Sequence, residues 1–313
     1  MRLAGWSEDC TRFLARVTAP TSPAVWYLYD RPRNELSPVG DEYPQLKGVQ
    51  MGTTRWFTYK ASDGLEIPAY LTLPPGAKSG TRLPLIVYPH GGPKARDTFD
   101  FDFIAQFMAS RGYAVLQPQF RGSWGFGKAH EDAGKGEWGG KMQTDLQDGI
   151  ASLAASGEID PARVCIVGAS FGGYSALAGA TLYPDSYKCA VAIAPVADLG
   201  LLVTDQIRRG RSDAGIDELR ADLGAATKDK LVAQSLAKHA RAVRIQILMV
   251  HGDQDTVVPL AHSRLMADAL KKAGKSYELI ELKGESHYLA RAATRTQTLE
   301  ALEAFLSKNL PVN

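Results

Sequence analysis

The sequence predicts an α/β fold in which helices flank a mostly parallel central sheet. Three continuous apolar runs support this prediction: Leu85–Tyr88, Arg163–Val167 and Ile245–Val250. Strands of a parallel sheet are buried on both faces, so they are apolar along their length instead of alternating. Stretches with helical spacing separate the runs, as the crossover connections of a parallel sheet require. The chain of 313 residues is long enough for one such domain with appendages.

The first 48 residues predict a short β extension, and residues 49–313 predict the main domain. Segments Arg12–Thr18 and Ala24–Tyr29 are typical of strands, with turns at Gly5–Asp9 and Arg31–Glu35. Two strands alone are at best marginally stable in water. We therefore expect this arm to pack on the main domain or on a neighbouring subunit, which would produce a homo-oligomer.

The remaining elements follow in chain order. Residues Phe99–Ser110 predict a helix with one apolar face, and Tyr113–Leu116 predicts a further strand. A core helix is indicated by apolar residues at helical spacing: Met142, Leu146, Ile150 and Leu153. The segment Leu199–Ala240 is polar and then helical, and we expect it to form a small cap over a pocket.

One pentapeptide indicates the catalytic chemistry. Gly168-Ala-Ser170-Phe-Gly172 lies between the strand Arg163–Val167 and a helix of small residues, Gly173–Ala180. A Gly-x-Ser-x-Gly between strand and helix is the nucleophile elbow of α/β-hydrolases. The sharp turn leaves no room for side chains beside the serine, which is held strained and exposed. The sequence therefore predicts an α/β-hydrolase fold with Ser170 as its nucleophile.

A serine nucleophile needs an acid and a base, which follow it in this fold in the order Ser, acid, His. The strand Ile245–Val250 leads into a loop that contains Asp253 and Asp255. Asp253 lies in a predicted tight turn, where an aspartate often bonds its own backbone. We therefore favour Asp255 as the acid. Asp198 is interpreted as a helix-starting residue or a more distant alternative.

The predicted base is His287. It lies in a glycine-containing loop after the last predicted strand, Tyr277–Leu282, and loops at the carboxyl ends of parallel strands converge. His262 lies inside the helical stretch Leu260–Ala273 and is interpreted as structural. His251 is interpreted as a structural histidine at the end of a strand.

The tetrahedral intermediate of acyl transfer needs an oxyanion hole. Leu85–Tyr88 leads into the loop His90-Gly91-Gly92-Pro93. In this fold the hole uses the N–H that follows the nucleophile, here that of Phe171, and one from such a loop, for which we choose Gly91. Each donor contributes about 3 kcal/mol. The predicted substrate pocket, besides Phe171, consists of Tyr174, Leu201, Leu202 and Ile207.

Together these motifs resemble the catalytic domain of the prolyl oligopeptidase family, and particularly its acylaminoacyl-peptidase branch. The resemblance covers roughly residues 50–313 and is carried by Asp63-Gly64, Ile67–Pro75, His90–Pro93, Gln119–Gly127, Gly136–Gly139, Gly168–Gly173 and His251–Pro259. It implies Ser170 as nucleophile, Asp255 as acid and His287 as base. His90 stands where prolyl-specific members carry a tyrosine, so we place it in the substrate site and do not expect strict cleavage after proline. The N-terminal arm resembles the last part of a β-propeller blade, and most of the family's propeller is missing.

Three functions are compatible with these residues. A carboxylesterase is our first expectation, because a site without a propeller has no gate and esters are the easier acyl donors. The alternative is an acylaminoacyl-peptidase or oligopeptidase that acts on short peptides. The third is a non-catalytic binding domain, which the intact set of catalytic motifs argues against.

The composition limits the kinds of substrate, partner and cofactor that we expect. The formal net charge is +2 and no basic stripe is present, so we expect a small ester or short peptide as substrate and no nucleic acid. No apolar run approaches membrane-spanning length, so we expect no membrane association and a cytoplasmic location. The three cysteines have no spacing typical of a metal site or disulfide, and Cys165 is interpreted as a buried apolar residue. We expect no cofactor and no metal.

Overall fold

The N-terminal part of the chain is a small antiparallel sheet. The computed structural model describes residues 1–78, 80–224 and 228–312. The sheet is a four-stranded meander in chain order: β1 (Arg2–Trp6), β2 (Arg12–Ala19), β3 (Ser22–Asp30) and β4 (Glu35–Asp41). The sequence predicted only β2 and β3. The outer strands were missed because Gly5, Pro38 and Gly40 interrupt them, and glycine and proline are uncommon in strand interiors.

This sheet contacts the main domain of the same chain at the hairpin between β2 and β3. The N–H of Phe101 donates to Thr18 Oγ1 at 3.3 Å, and Gln106 Nε2 donates to the carbonyl of Pro20 at 2.9 Å. The ring of Tyr43, which follows β4, lies 5.7 Å from that of Phe101. One of the two predicted arrangements, packing on the main domain, is therefore present. The domain boundary at residue 48 stays a prediction.

The main domain is built on an eight-stranded sheet. Its strands are β5 (Thr53–Lys60), β6 (Glu66–Leu73), β7 (Leu83–Val87), β8 (Ala114–Pro118), β9 (Ile159–Ala169), β10 (Cys189–Ile193), β11 (Gln246–Gly252) and β12 (Tyr277–Leu282). The spatial order is β12-β11-β10-β9-β7-β8-β6-β5. Strand β6 pairs antiparallel with β5 and with β8, and all the other pairs are parallel. The mostly parallel sheet expected from the sequence is confirmed.

One predicted feature of the central strands is wrong. Cys165 on β9 and Cys189 on β10 are directly opposite each other in the parallel register and form a disulfide. Cys165 is therefore not a free buried thiol. The pairing could not be read from the spacing, because the two residues are 24 positions apart and meet only when two crossover-connected strands become neighbours.

Helices cover both faces of this sheet. In chain order, the described helices of the main domain are α1 (Phe103–Ser110), α2 (Lys128–Asp132), α3 (Lys141–Ala155), α4 (Phe171–Thr181), α5 (Leu199–Arg208), α6 (Asp213–Asp222), α7 (Lys228–Ala233), α8 (Ala261–Lys272) and α9 (Ala292–Asn309). Two apolar cores result: α1 and α9 pack on one face, and α3, α4 and α8 pack on the other. No helix in the three described ranges is both long and apolar enough to cross a bilayer.

The predicted cap is helical. Between β10 and β11 the chain forms α5, α6, α7 and a 3₁₀ turn at Leu236–Ala242. Asp198 begins α5, because its carboxylate accepts the N–H of Leu201 at 2.8 Å, and Ser212 begins α6 in the same way through Gly215. Residues 225–227 of the predicted cap lie outside the described residues.

Candidate active site

Ser170 lies at the turn between β9 and α4, with φ 58° and ψ −115°. A Cβ on Gly168 would lie 2.3 Å from the carbonyl oxygen of Gly172, and one on Gly172 would lie 2.1 Å from that of Pro89. Both neighbours are backbone atoms, so neither position accepts a side chain without a shift of the chain. The N–H of Ser170 donates to the carbonyl of Ile193 at 2.9 Å, which fixes the turn against β10.

The acid and the histidine chosen from the sequence are in contact. His287 Nδ1 and Asp255 Oδ2 are 2.6 Å apart, and the other carboxylate oxygen accepts the N–H groups of Val257 and Val258. Asp253 instead accepts the N–H of Gly284 at 2.6 Å and so ties the two loops together. We had expected Asp253 to bond its own turn. Its carboxylate bridges to the neighbouring loop because β11 and β12 are adjacent.

Asp255 is held as a carboxylate. Burial raises the pKa of Asp255, but hydrogen bonds from His251 and His287, the charge of His287 and the N–H of Val258 together bring its pKa well below the usual range. A carboxylate in this state can orient an imidazole and stabilise its protonated form. Within the described residues, Ser170 Oγ makes no hydrogen bond. In unliganded sites the hydrogen bond between a catalytic serine and its histidine often forms only when substrate binds.

The backbone of Phe171 and that of Gly91 lie next to Ser170. Phe171 is the first residue of α4, so its N–H has no acceptor within the helix. Gly91 lies against the serine, since a Cβ there would be 3.4 Å from Ser170 Cβ and 4.0 Å from its Oγ. These positions are compatible with the predicted oxyanion hole of Phe171 and Gly91 amides.

His90 supports the loop instead of lining the substrate site. Its ring stacks on Phe120 at 4.3 Å, and its two nitrogens contact Gly91 O at 2.6 Å and Ser123 Oγ at 2.8 Å. Burial lowers the pKa of His90 to about 4, although the bond to Gly91 opposes this shift. A buried, neutral histidine with both nitrogens occupied positions the glycines behind it.

A cavity of about 400 Å³ opens at Ser170 and Phe171 under the cap. Its wall is mostly apolar and aromatic: Trp124, Trp138, Val196, Leu202, Leu219, Val257 and Val258, with Gly92 and Pro93 from the loop that follows β7. The polar wall residues are Lys94, Gln206, Arg211 and Asp222. Lys94 is paired with Asp222 at 2.7 Å, which joins the loop after β7 to α6. The cavity therefore offers mostly apolar surface beside Ser170.

Only part of the predicted pocket lies in this wall. Leu202 does, but Leu201, Ile207 and Tyr174 are not among the described residues that line it. Ile207 is 51% exposed on α5, and Tyr174 is fully buried, with its hydroxyl donating to the carbonyl of Gln234. These three residues lie outside the wall because every residue of α4 is buried and the sequence did not reveal which face of α5 points toward the cavity. Their role in substrate binding stays a prediction.

Two residues that shape the site were not recognised from the sequence. Trp138 packs edge-on against Phe171 at 4.7 Å and closes the floor of the cavity. It lies in the motif Gly136–Gly139, so the motif was a usable signal. Glu285 is fully buried and accepts N–H groups of Ser286, Ala290 and Arg291, which shapes the loop that carries His287. No pattern in the sequence marks Glu285.

Known proteins share this arrangement of elements. The sequence profile of the prolyl oligopeptidase family (Peptidase_S9) matches residues 99–312. Dipeptidyl aminopeptidase BIII of Pseudoxanthomonas mexicana is 32% identical over an alignment of 319 residues, which covers 96% of this chain and 45% of the relative.

Solved structures of peptidases superpose closely on this chain. A puromycin-hydrolyzing peptidase of Mycobacterium tuberculosis superposes with a TM-score of 0.85 at 27% identity, over 97% of this chain and 46% of that one. An acylaminoacyl peptidase of Pyrococcus horikoshii superposes with a TM-score of 0.83 at 25% identity, over 99% of this chain and 50% of that one. The chain spans about half of the length of these proteins. The α/β-hydrolase fold predicted from the elbow is confirmed.

Proposed function

The chain belongs to the prolyl oligopeptidase family, and on that premise we propose that it is a serine peptidase which cleaves short peptides after an apolar residue. The observation that carries the proposal is the mostly apolar cavity with Ser170 and Phe171 in its wall. The acid–histidine pair of Asp255 and His287 lies at the same edge of the sheet, after strands β11 and β12. The peptide side chain on the acyl side of the scissile bond occupies this cavity.

The proposed reaction is acyl transfer through a covalent intermediate. His287 accepts the proton of Ser170 as the hydroxyl attacks the carbonyl carbon, and Asp255 stabilises the imidazolium. The N–H groups of Phe171 and Gly91 stabilise the oxyanion. His287 then donates the proton to the leaving amine, and a water molecule attacks the acyl-enzyme by the same route.

The main competing function is a carboxylesterase, which is the first expectation from the sequence. The relative and the solved structures reported above are named as peptidases, and this supports the peptidase function instead. Hydrolysis of an activated ester does not separate the two functions, because a serine peptidase with this mechanism also hydrolyses esters. The discriminating quantity is the rate on an amide relative to an ester with the same acyl group.

The test therefore uses matched substrates. We would measure kcat/KM for the p-nitroanilide and the p-nitrophenyl ester of N-acetyl-phenylalanine, and for the anilide of a dipeptide with a free amino group. A peptidase cleaves at least one anilide with saturable kinetics. Turnover of the ester without cleavage of either anilide would overturn the peptidase proposal in favour of a carboxylesterase.

Ser170→Ala is the control for the mechanism. We expect kcat to fall roughly 10⁴- to 10⁶-fold with the fold retained, because the covalent route is lost. Ser37→Ala, at a partly exposed serine on β4, should leave kcat unchanged. Near wild-type turnover by the Ser170 variant would remove the catalytic role of all three residues.

Two finer expectations remain predictions. A homo-oligomer through the N-terminal arm is compatible with the exposure of Trp6 (64%) and Leu36 (58%) on the outer strands. A cytoplasmic location, expected from the sequence, is not favoured by the disulfide between Cys165 and Cys189, because disulfides persist mainly in oxidising compartments.

A further inference from the structure

His251 lies at the carboxyl end of β11 and is buried, with 1% of its surface exposed. Its ring nitrogens each have a close partner: Nε2 lies 2.8 Å from the carbonyl oxygen of Val258, and Nδ1 lies 2.7 Å from Ser263 Oγ on α8. A carbonyl oxygen can only accept, so Nε2 carries the proton. In the neutral ring, Nδ1 then accepts from the hydroxyl of Ser263.

The same Nε2–H also faces the proposed catalytic acid. Asp255 Oδ2 lies 3.3 Å from His251 Nε2, and Oδ2 is the atom in contact with His287 Nδ1. The other oxygen, Oδ1, accepts the N–H groups of Val257 and Val258 at 2.8 and 2.9 Å. Two backbone N–H groups and His287 therefore contact this carboxylate at hydrogen-bond distance. The Nε2–H of His251, which is bonded to Val258, lies beside Oδ2 and is the only other side-chain donor that we find there in the described part of the chain.

We propose that His251 is a positioning residue that holds Oδ2 of Asp255 toward His287. This inference rests on the proposed function, because it assumes that Asp255 acts through His287. His251 does not touch substrate: it is buried behind the carboxylate and both of its nitrogens are occupied. Ser263 supports it by fixing which nitrogen of the ring donates.

The geometry explains why a donor at this point matters. The two amides hold Oδ1, but the carboxylate can still tilt about this oxygen and carry Oδ2 away from His287. The Nε2–H of His251, anchored through Ser263 to α8 and 3.3 Å from Oδ2, restricts that movement. A small displacement of a catalytic group can cost about 100-fold in rate.

The first arm of the test compares His251→Leu with His251→Gln. The ester p-nitrophenyl acetate serves as substrate, since a serine peptidase and a carboxylesterase both hydrolyse it. We expect His251→Leu to lower kcat about 10- to 100-fold with KM within about twofold, because only the positioning of the acid changes. The Gln side chain places an N–H close to the position of Nε2, so His251→Gln should restore kcat to within about threefold of wild type.

The second arm removes the residue through which His251 acts. In an Asp255→Ala background, His251→Leu should change kcat by less than about twofold, because the two effects are not additive when one residue works through the other. An equal loss in both backgrounds would overturn the proposal and leave His251 as a structural residue. A folded His251→Gln protein as impaired as His251→Leu would overturn it too, and this variant decides the matter if His251→Leu does not fold.

These outcomes are separable from those of the peptidase assay. Absence of anilide cleavage by the wild-type protein would overturn the proposed substrate class, and the ester assay would still measure the role of His251. Wild-type ester turnover in Ser170→Ala would overturn both proposals.

Discussion

The two sheets of this chain differ in how they are covered. The eight-stranded sheet is packed by helices on both faces, and Ile86, Leu116 and Ile166 are fully buried on its strands. The four-stranded sheet contacts the rest of the chain at one hairpin, and both of its outer strands carry exposed apolar side chains, including Trp6 and Leu36.

That difference is consistent with the position of the proposed catalytic residues. The elbow, the acid loop and the histidine loop all follow strands of the covered sheet, at its carboxyl edge. A close-packed interior fixes the backbone positions from which these loops start, and small volume changes there are felt. We therefore expect the covered sheet to tolerate changes poorly and the small sheet to tolerate them well.

The largest expected difference in stability is between alanine substitutions at two glycines, one in each sheet region. Gly172→Ala would place a Cβ 2.1 Å from the carbonyl oxygen of Pro89, whereas a Cβ on Gly40 of β4 meets nothing within 4 Å. We expect Gly172→Ala to cost more than about 4 kcal/mol or to prevent folding, and Gly40→Ala to stay within about 0.5 kcal/mol. Chemical denaturation of both purified variants checks this. Equal stabilities would refute the idea that the elbow is sterically closed.

Two ion pairs give a second contrast. Arg121 is 4% exposed and its guanidinium contacts Asp145, which is fully buried. Arg16 pairs with Glu42 in the small sheet, where each side chain is 30% exposed. We expect Arg121→Met to cost about 3 kcal/mol, because it leaves a buried carboxylate without its partner, and Arg16→Met to cost less than about 1 kcal/mol. Urea unfolding of the two variants measures both, and a larger loss for Arg16→Met would reverse our comparison.

The smallest effect is a pH dependence of stability that comes from one buried histidine of the main domain. Burial lowers the pKa of His262 on α8 to about 4, although Asp205 and Asp198 oppose the shift. The unfolded chain takes up this proton near pH 6.5 and the folded chain only near pH 4, so His262 destabilises the fold as the pH falls through that window. Residues 1–48 contain no histidine, so the small sheet has no counterpart of this effect.

Substitution of His262 isolates its contribution, because Asp97 and Asp102 have raised pKa values, mainly through burial, and act in the opposite direction. His262→Asn keeps an acceptor for the N–H of Ala197 and removes the titration. We expect its loss of stability between pH 6.5 and pH 4 to be smaller than that of wild type by roughly 2 kcal/mol. Parallel pH curves for the two proteins would contradict the assignment.

The site was predicted unevenly, for reasons that particular residues show. The contact of Asp255 with His287 follows from local signals, namely two strand-end loops in the expected order. Asp253 was set aside as a turn residue, and in the structure it instead bonds the neighbouring loop at Gly284. The cavity wall was harder, because Leu219, Val257 and Trp138 come from segments far apart in the chain.

The sequence by itself determined the fold class, the sharp turn at Ser170 and the choice of Asp255 and His287 as the proposed acid and base, because continuous apolar strands and a glycine-bounded turn are local patterns. The tertiary structure decided which distant side chains meet. It placed His251 on Asp255, joined Cys165 to Cys189 and turned Leu202 rather than Ile207 toward the cavity. These contacts depend on which strands become neighbours and on which face of a helix packs inward, and both are set by packing of the whole chain.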